Sequence, residues 1–213
     1  GGVFKSTNGA SSWTQINAGL KIHVYSFVID PQSTQTIYAG TMDNGVFKSS
    51  NAGISWSLIN GEYDHFSSLA IDPVNVQTIY AGTNGWGIFK STNGGTSWSW
   101  MVSGLPSHYG VFPLVWTLAV DPQDTQTIYA GSYESLNGGG VYKSSNGGVS
   151  WIEINAGLPS IDVRSLAIDP ENTQIIYAGT SQDGLYKSMN GGTSWSPCNS
   201  GLGSDFVESV VID

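Results

Sequence analysis

Polar and apolar residues alternate along this chain in short runs, each bounded by Gly, Asn, Asp or Pro, a pattern of brief strands joined by tight turns. Four such runs make a unit. Tyr25-Ser26-Phe27-Val28-Ile29-Asp30 reads as a first strand closed by Asp30-Pro31, and Thr36-Ile37-Tyr38-Ala39-Gly40 as a second. Gly45-Val46-Phe47-Lys48-Ser49 is the third and Ser55-Trp56-Ser57-Leu58-Ile59 the fourth. Three further copies follow, their first strands ending at Asp72-Pro73, Asp121-Pro122 and Asp169-Pro170. Proline ends a strand because it cannot donate to the ladder. In the first strand, Leu69 and Ile71 alternate with Ala70, which predicts one face packed with large groups and the other with small ones. Tyr80-Ala81-Gly82 and its counterparts place Gly in every second strand, where a neighbouring sheet is expected to approach closely. Gly2 to Ser6 and Trp13 to Ile16 read as the third and fourth strands of a leading half-unit, and Val207 to Asp213 as a trailing first strand.

The turn between third and fourth strands sets the period. Asn8, Asn51, Asn93, Asn146 and Asn190 each follow a Ser pair or a Ser-Thr or Ser-Met pair, precede small residues, and stand five positions before Trp13, Trp56, Trp98, Trp151 and Trp195. Asn and Gly tolerate positive φ, and the Asn amide can bond the nearby backbone. The Trp residues are spaced by 43, 42, 53 and 44 residues. A period of that length carrying four strands predicts an all-β fold, a β-propeller of four-stranded antiparallel blades. The repeats run over about 1–19, 20–60, 61–102, 103–155 and 156–199, with the trailing strand at 207–213, all in one domain. Five turns but only four complete blades are present. Closing head on tail would leave first and third strands about 9–10 Å apart with unpaired ladder groups, so part of a longer ring is expected.

Meander geometry sends the Asp-Pro and Asn-Gly turns to one end and the loops after second and fourth strands to the other, where most of the variation between repeats falls. The net charge of −9 and only seven basic residues leave no basic footprint for nucleic acid or an anionic membrane. Five of the seven, Lys5, Lys48, Lys90, Lys143 and Lys187, share one position of the repeat, so only Lys21 and Arg164 are free for another role. Cys198 is the only cysteine, and no apolar run is long enough to span a membrane.

The five turns resemble the Asp-box, or bacterial neuraminidase repeat, roughly Ser-x-Asp-x-Gly-x-x-Trp. Asn stands at the Asp position in every copy; Gly53, Gly95, Gly148 and Gly192 meet the Gly, and Ala10 departs from it. The whole blade is similar to propellers of two-domain xyloglucanases, sortilin-type receptors and photosystem II assembly factors. That resemblance implies a fold, with the Asp-box as a structural turn away from active centres. Sialidases, its best-known bearers, clamp the substrate carboxylate with three Arg, and Arg164 is the only Arg here. In the xyloglucanase-like enzymes two propellers each contribute one Asp to the cleft between them.

Tyr25, Ser67, Trp116, Arg164 and Glu208 occupy one slot at the start of the first strand, beside neighbours that hardly change, which marks either a binding surface or unrestrained drift. Trp86, Tyr109, Phe112, Trp116 and Tyr133 cluster around the longest interval, with extra loop at 102–116 and 133–140. Rings beside carboxylates suit a sugar, covering its C–H face while acids accept its hydroxyls; equally, Phe112, Leu114 and Trp116 fold back as a satellite cluster under the loop. For a glycosidase, two carboxyls must face one bond, and Asp64, Asp162, Asp205 and Glu208 are the candidates to test. Neither a metal loop nor a phosphate loop is present, and no cofactor is expected. The expected function is a secreted or surface-exposed, non-catalytic recognition scaffold that binds polysaccharide or protein through the variable face. The alternatives are a fragment of a carbohydrate-active hydrolase and a structural repeat of a surface assembly.

Overall fold

The four expected blades form, each a four-stranded antiparallel meander with strands in chain order. The computed structural model describes residues 2–20, 23–61, 65–133, 139–159 and 162–212. A leading hairpin pairs β1 (Phe4–Lys5) with β2 (Thr14–Gln15). The first complete blade is β3 (Val24–Ile29), β4 (Ile37–Thr41), β5 (Val46–Ser49) and β6 (Ser57–Asn60). The second is β7 (Phe66–Ile71), β8 (Ile79–Thr83), β9 (Ile88–Ser91) and β10 (Ser99–Trp100). The third is β11 (Leu114–Val120), β12 (Ile128–Tyr133), β13 (Gly140–Ser144) and β14 (Ile152–Glu153). The fourth is β15 (Val163–Ile168), β16 (Ile176–Thr180), β17 (Leu185–Ser188) and β18 (Ser196–Pro197). First strands pack on one another in succession, β3 on β7, β7 on β11 and β11 on β15.

The second strands, Ile-Tyr-Ala-Gly-Thr in three of the four blades, lie almost wholly buried between neighbouring sheets. Their Gly is where the next blade comes closest. A Cβ on Gly82 would lie 2.6 Å from Val115 Cγ1, and one on Gly131 2.8 Å from Val163 Cγ1. Val207 takes the same place over Gly179, and its amide donates to Thr180 O at 2.9 Å. The trailing segment nevertheless departs from the sequence expectation. Residues 207–212 form no ladder among the described residues, and Asp213 lies outside them.

The Asp of each Asp-Pro pair does more than precede a strand breaker. Asp72 Oδ1 accepts from the Val74 and Asn75 amides, both at 2.9 Å, and Asp30, Asp121 and Asp169 repeat the pattern. At the other turn, Asn51 Oδ1 accepts from the Ser55 amide and the Ser49 hydroxyl, both at 2.9 Å, while its Nδ2 donates to Ser55 Oγ. Two successive left-handed residues close the loop, such as Gly94 (φ 66°) and Gly95 (φ 89°). The two turn types share one end, since the Gly94 and Gly147 amides donate to Gln77 O and Gln126 O, just before each second strand.

These turns also rivet one blade to the next. Lys48 Nζ, over the Tyr38 ring at 5.1 Å, donates to Gly94 O of the following blade, and the Tyr38 hydroxyl donates to the same carbonyl. Lys90 and Tyr80 grip Gly147 O in the same way, and Lys143 and Tyr129 grip Gly191 O. Lys48, Lys90 and Lys143 are therefore structural. Burial, reinforced by Asp72, pushes the Tyr80 phenol up to about 12; burial with Asp121 and Asp124 does the same at Tyr129. A folded value above the unfolded one means that these phenols favour the folded state fully below pH 10 and lose that contribution as pH rises through about 12. Lys90 acts in the opposite sense: burial lowers its folded value, so its contribution is present above the ordinary lysine value and is lost as pH falls through the folded one. The expected result is a fall in melting temperature as pH rises from 10 to 12, tracked by phenolate absorbance, with a shallower fall in Tyr80→Phe.

A second device joins the outer strands. After β2, β10, β14 and β18 the chain reads Asn17-Ala18-Gly19-Leu20, Val102-Ser103-Gly104-Leu105, Asn155-Ala156-Gly157-Leu158 and Asn199-Ser200-Gly201-Leu202. The first three of these connectors bind the next Trp: the Trp56, Trp151 and Trp195 amides donate to Ala18 O, Ser103 O and Ala156 O, each at 2.9 Å. Their indole N–H groups donate to Ile16 O, Met101 O and Ile154 O on the preceding blade. All three indoles are buried.

Candidate functional site

The variable slot has a structural cause. In every complete blade the ladder between first and second strands skips one residue, running Val24↔Thr41 then Ser26↔Gly40, Phe66↔Thr83 then Ser68↔Gly82, Val115↔Ser132 then Thr117↔Gly131, and Val163↔Thr180 then Ser165↔Gly179. The skipped residues are Tyr25, Ser67, Trp116 and Arg164. Each is the extra residue of a β-bulge, which bends the strand and re-aims its side chain. Substitution there leaves the ladder between first and second strands intact. Glu208 matches them in sequence but sits in the trailing segment without a ladder, and is exposed.

The bulged side chains meet their neighbours around the inner strands. Ser67 is spent on structure, its hydroxyl donating to Val115 O at 2.6 Å across the blade interface. The Tyr25 hydroxyl reaches Met42 Sδ at 3.6 Å, placing the bulge at the end of the molecule opposite the Asn turns. A cavity of about 90 Å³ lies between Tyr25, Met42, His65, Ser67, Asn84 and Trp116. Arg164 stacks its guanidinium 4.2 Å from the Trp116 ring centre and donates from Nη2 to Asp162 Oδ2 at 2.7 Å. Trp116 Nε1 and Arg164 Nε are buried there with no acceptor among the described residues. Nearby, Asp43 faces both His23 Nδ1 at 3.3 Å and His65 Nε2 at 3.9 Å.

The remaining candidates are dispersed. Of the four carboxylates, Asp64 lies outside the described residues, as do Glu62, Glu134 and Lys21. Asp162 is buried and engaged by Arg164. Asp205 and Glu208 are exposed, and the Asp205 carbonyl accepts from the Gly184 amide. Tyr109 is almost fully exposed at the tip of a small bridge between His108 and Val111, held at φ 51°. Tyr133 ends β12, half out of the surface. Phe112 follows the satellite alternative, packing against the core of the second and third blades and against the edge of Trp100, 5.3 Å between ring centres. Trp86 is half exposed, and its carbonyl receives the indole N–H of Trp100. Trp100 was not singled out by sequence reasoning. The signal lay in alignment, where Gln15, Leu58, Glu153 and Pro197 fill the same position of the other fourth strands. No group of three or more metal-type side chains occurs among the described residues.

No family model and no curated protein matches this chain. Solved structures do. An ancestral GH74 enzyme is 26% identical over 96% of this chain and 29% of its own, with a TM-score of 0.77. The extracellular domain of a one-component system from B. thetaiotaomicron is 18% identical over 92% of this chain and 26% of its own, with a TM-score of 0.69. YCF48 bound to D1 peptide is 18% identical over 91% of this chain and 59% of its own, with a TM-score of 0.58. The chain thus spans less than a third of the length of the first two and under two thirds of the third. Blade order, the Asn-centred turns and these likenesses together show a β-propeller fold of four-stranded blades with Asp-box-like turns, shared with the GH74 enzyme, the extracellular domain and YCF48.

Proposed function

We propose that this chain is a non-catalytic recognition propeller, secreted or surface-exposed, which binds an oxygen-rich ligand, glycan or protein, at the bulge ring around Tyr25, Trp116 and Arg164. One observation carries this reading: Trp116 Nε1, which borders a small cavity, and Arg164 Nε, stacked on the same indole, are buried N–H donors without an acceptor among the described residues. Buried donors normally have a partner, so a ligand hydroxyl, carboxylate or carbonyl oxygen completes the site. Arg164 covers one face of Trp116, which makes that indole a hydrogen-bond donor here rather than a stacking platform. The similar structures include a GH74 xyloglucanase and YCF48 bound to D1 peptide, so both ligand classes belong in the test.

The likeness to GH74 enzymes favours a hydrolase fragment as the second reading. Against it stands Asp162, whose carboxylate is buried and tied to Arg164 at 2.7 Å instead of lying open to a glycosidic bond. Calorimetric screening against plant and bacterial polysaccharides and against peptide libraries is the test. Trp116→Phe and Arg164→Lys, which keep bulk and charge but move or remove a donor, are expected to weaken the ligand at least tenfold without changing the fold. Reducing-end release that disappears in Asp64→Asn, Asp162→Asn, Asp205→Asn or Glu208→Gln would instead establish the hydrolase.

A further inference from the structure

We propose a second binding site, for a neutral saccharide chain, in the groove between the fourth strands of the first and second complete blades. It lies on the outer strands β6 and β10, apart from the bulge ring, and stands independently of the reading above.

At this seam the sequence departs from the other blades. After β6 the chain reads Asn60-Gly61-Glu62-Tyr63 where the other blades read Ala-Gly-Leu or Ser-Gly-Leu after the same position. This is also the shortest link: ten residues separate Trp56 from Phe66, against 11 to 17 between the equivalent residues elsewhere. Trp98, the next indole in line, behaves differently from its counterparts. Its N–H donates at 3.1 Å to Gly95 O of its own turn, whereas those of Trp56, Trp151 and Trp195 donate to the preceding blade. Trp98 is only partly buried where those three are buried. A groove of about 490 Å³ opens at this seam, lined by Ile59, Asn60, Thr96, Ser97, Trp98 and Trp100.

Trp100 completes it. It stands two residues beyond Trp98, and both rings line the groove. Half its surface is exposed, yet the ring is fixed: its N–H donates to Trp86 O and Phe112 braces it edge-on. The blade has no need of a large ring there, since the equivalent positions carry exposed Gln15, Leu58, Glu153 and Pro197. Two held indoles beside hydroxyl and amide side chains match a pyranose chain, whose apolar C–H faces alternate with hydroxyl edges. The described lining offers hydroxyl, amide and aromatic groups, a set that suits an uncharged sugar.

Isothermal titration with cellohexaose, xylohexaose and mannohexaose tests the site. At least one is expected to bind, Trp100→Ala to weaken it at least tenfold with an unchanged melting temperature, and Trp116→Phe to leave it within twofold. A second variant replaces residues 61–65 with the sequence of 156–162, restoring the connector; it is expected to abolish binding while Trp100 remains. Failure of all three sugars to bind, or full affinity in Trp100→Ala, overturns the proposal. Loss in Trp116→Phe with retention in Trp100→Ala assigns the sugar to the bulge ring instead.

Discussion

Gly157→Ala is expected to lower the free energy of unfolding by about 3–4 kcal/mol, combining the cost of a left-handed alanine with that of an overpacked contact. Gly157 has φ 93°, and a Cβ on it would lie 2.3 Å from the Trp195 carbonyl oxygen. That neighbour is backbone, held in register by the Trp195 amide donating to Ala156 O and the indole donating to Ile154 O. It cannot swing aside as a side-chain tip would. Relief of the clash means lifting the connector off the next blade, which exposes a buried Trp and breaks the hydrogen bond from the Trp195 amide to Ala156 O. Two other glycines separate the causes. Gly9 has φ 64° with open space around its Cβ, so Gly9→Ala is expected to cost about 1 kcal/mol from conformation alone. Gly203 has neither constraint, and its alanine is expected to be neutral. Urea unfolding with a constant m-value reads all three; equal losses at Gly157 and Gly9 would mean that the connector does not clamp the seam.

The ordering of those three glycines was only partly legible in the sequence. Strand number, order and turn positions were readable because a local pattern repeats five times, and each copy corroborates the others. The Gly of each second strand could be given its reason from sequence alone, and Gly82 and Gly131 bear it out. What escaped was whatever depends on contacts between repeats. Lys48, Lys90 and Lys143 showed as a recurring position, but their acceptor lies in the next blade's turn, 46 to 57 residues on. Tyr25, Ser67, Trp116 and Arg164 were visible as a slot, but the bulge that frees it is a property of strand pairing, which no single strand reveals. Trp116 was grouped with the loop aromatics as a sugar-facing ring; Arg164, 48 residues later, covers one of its faces. Asp162 stood among the candidate acids because its partner two residues away reaches it only by turning with the bulge.

The bulge and the connector do different work. One varies a side chain while the inner strands stay uniform, so chemistry at the mouth changes while the ladder between first and second strands stays intact. The other acts at the outer strands, where a seam is either clamped or open. A ring built this way tolerates diversity at the bulge, because none of the inter-blade bonds passes through the bulged side chain except that of Ser67. It does not tolerate loss of a clamp without a local change, and the seam at Trp98 is the example.

Trp151→Ala is accordingly expected to cost about 4 kcal/mol, in the range for truncating a fully buried aromatic, and Trp98→Ala only about 1–2 kcal/mol. The two residues hold the same place in the same turn. Trp151 is 2% exposed, sits in the core shared by the second and third blades, and donates its indole N–H to Met101 O at 3.1 Å. Its removal leaves a cavity and an inter-blade carbonyl without its donor. Trp98 already bonds within its own turn and is partly solvated, so its truncation forfeits less area and no bond between blades. Trp151→Phe divides the larger loss: it keeps most of the ring, and its expected cost of about 1–2 kcal/mol is that of the missing donor. Trp13 supplies the lower limit, because it is 60% exposed on the leading hairpin, and Trp13→Ala is expected to be near neutral. Denaturant titrations of the four variants would rank them by the covering each indole receives from the blade before it. Equal losses at Trp13, Trp98 and Trp151 would show that the turn needs its Trp for its own folding, and the seams would then be held by the second-strand glycines and the lysine rivets alone.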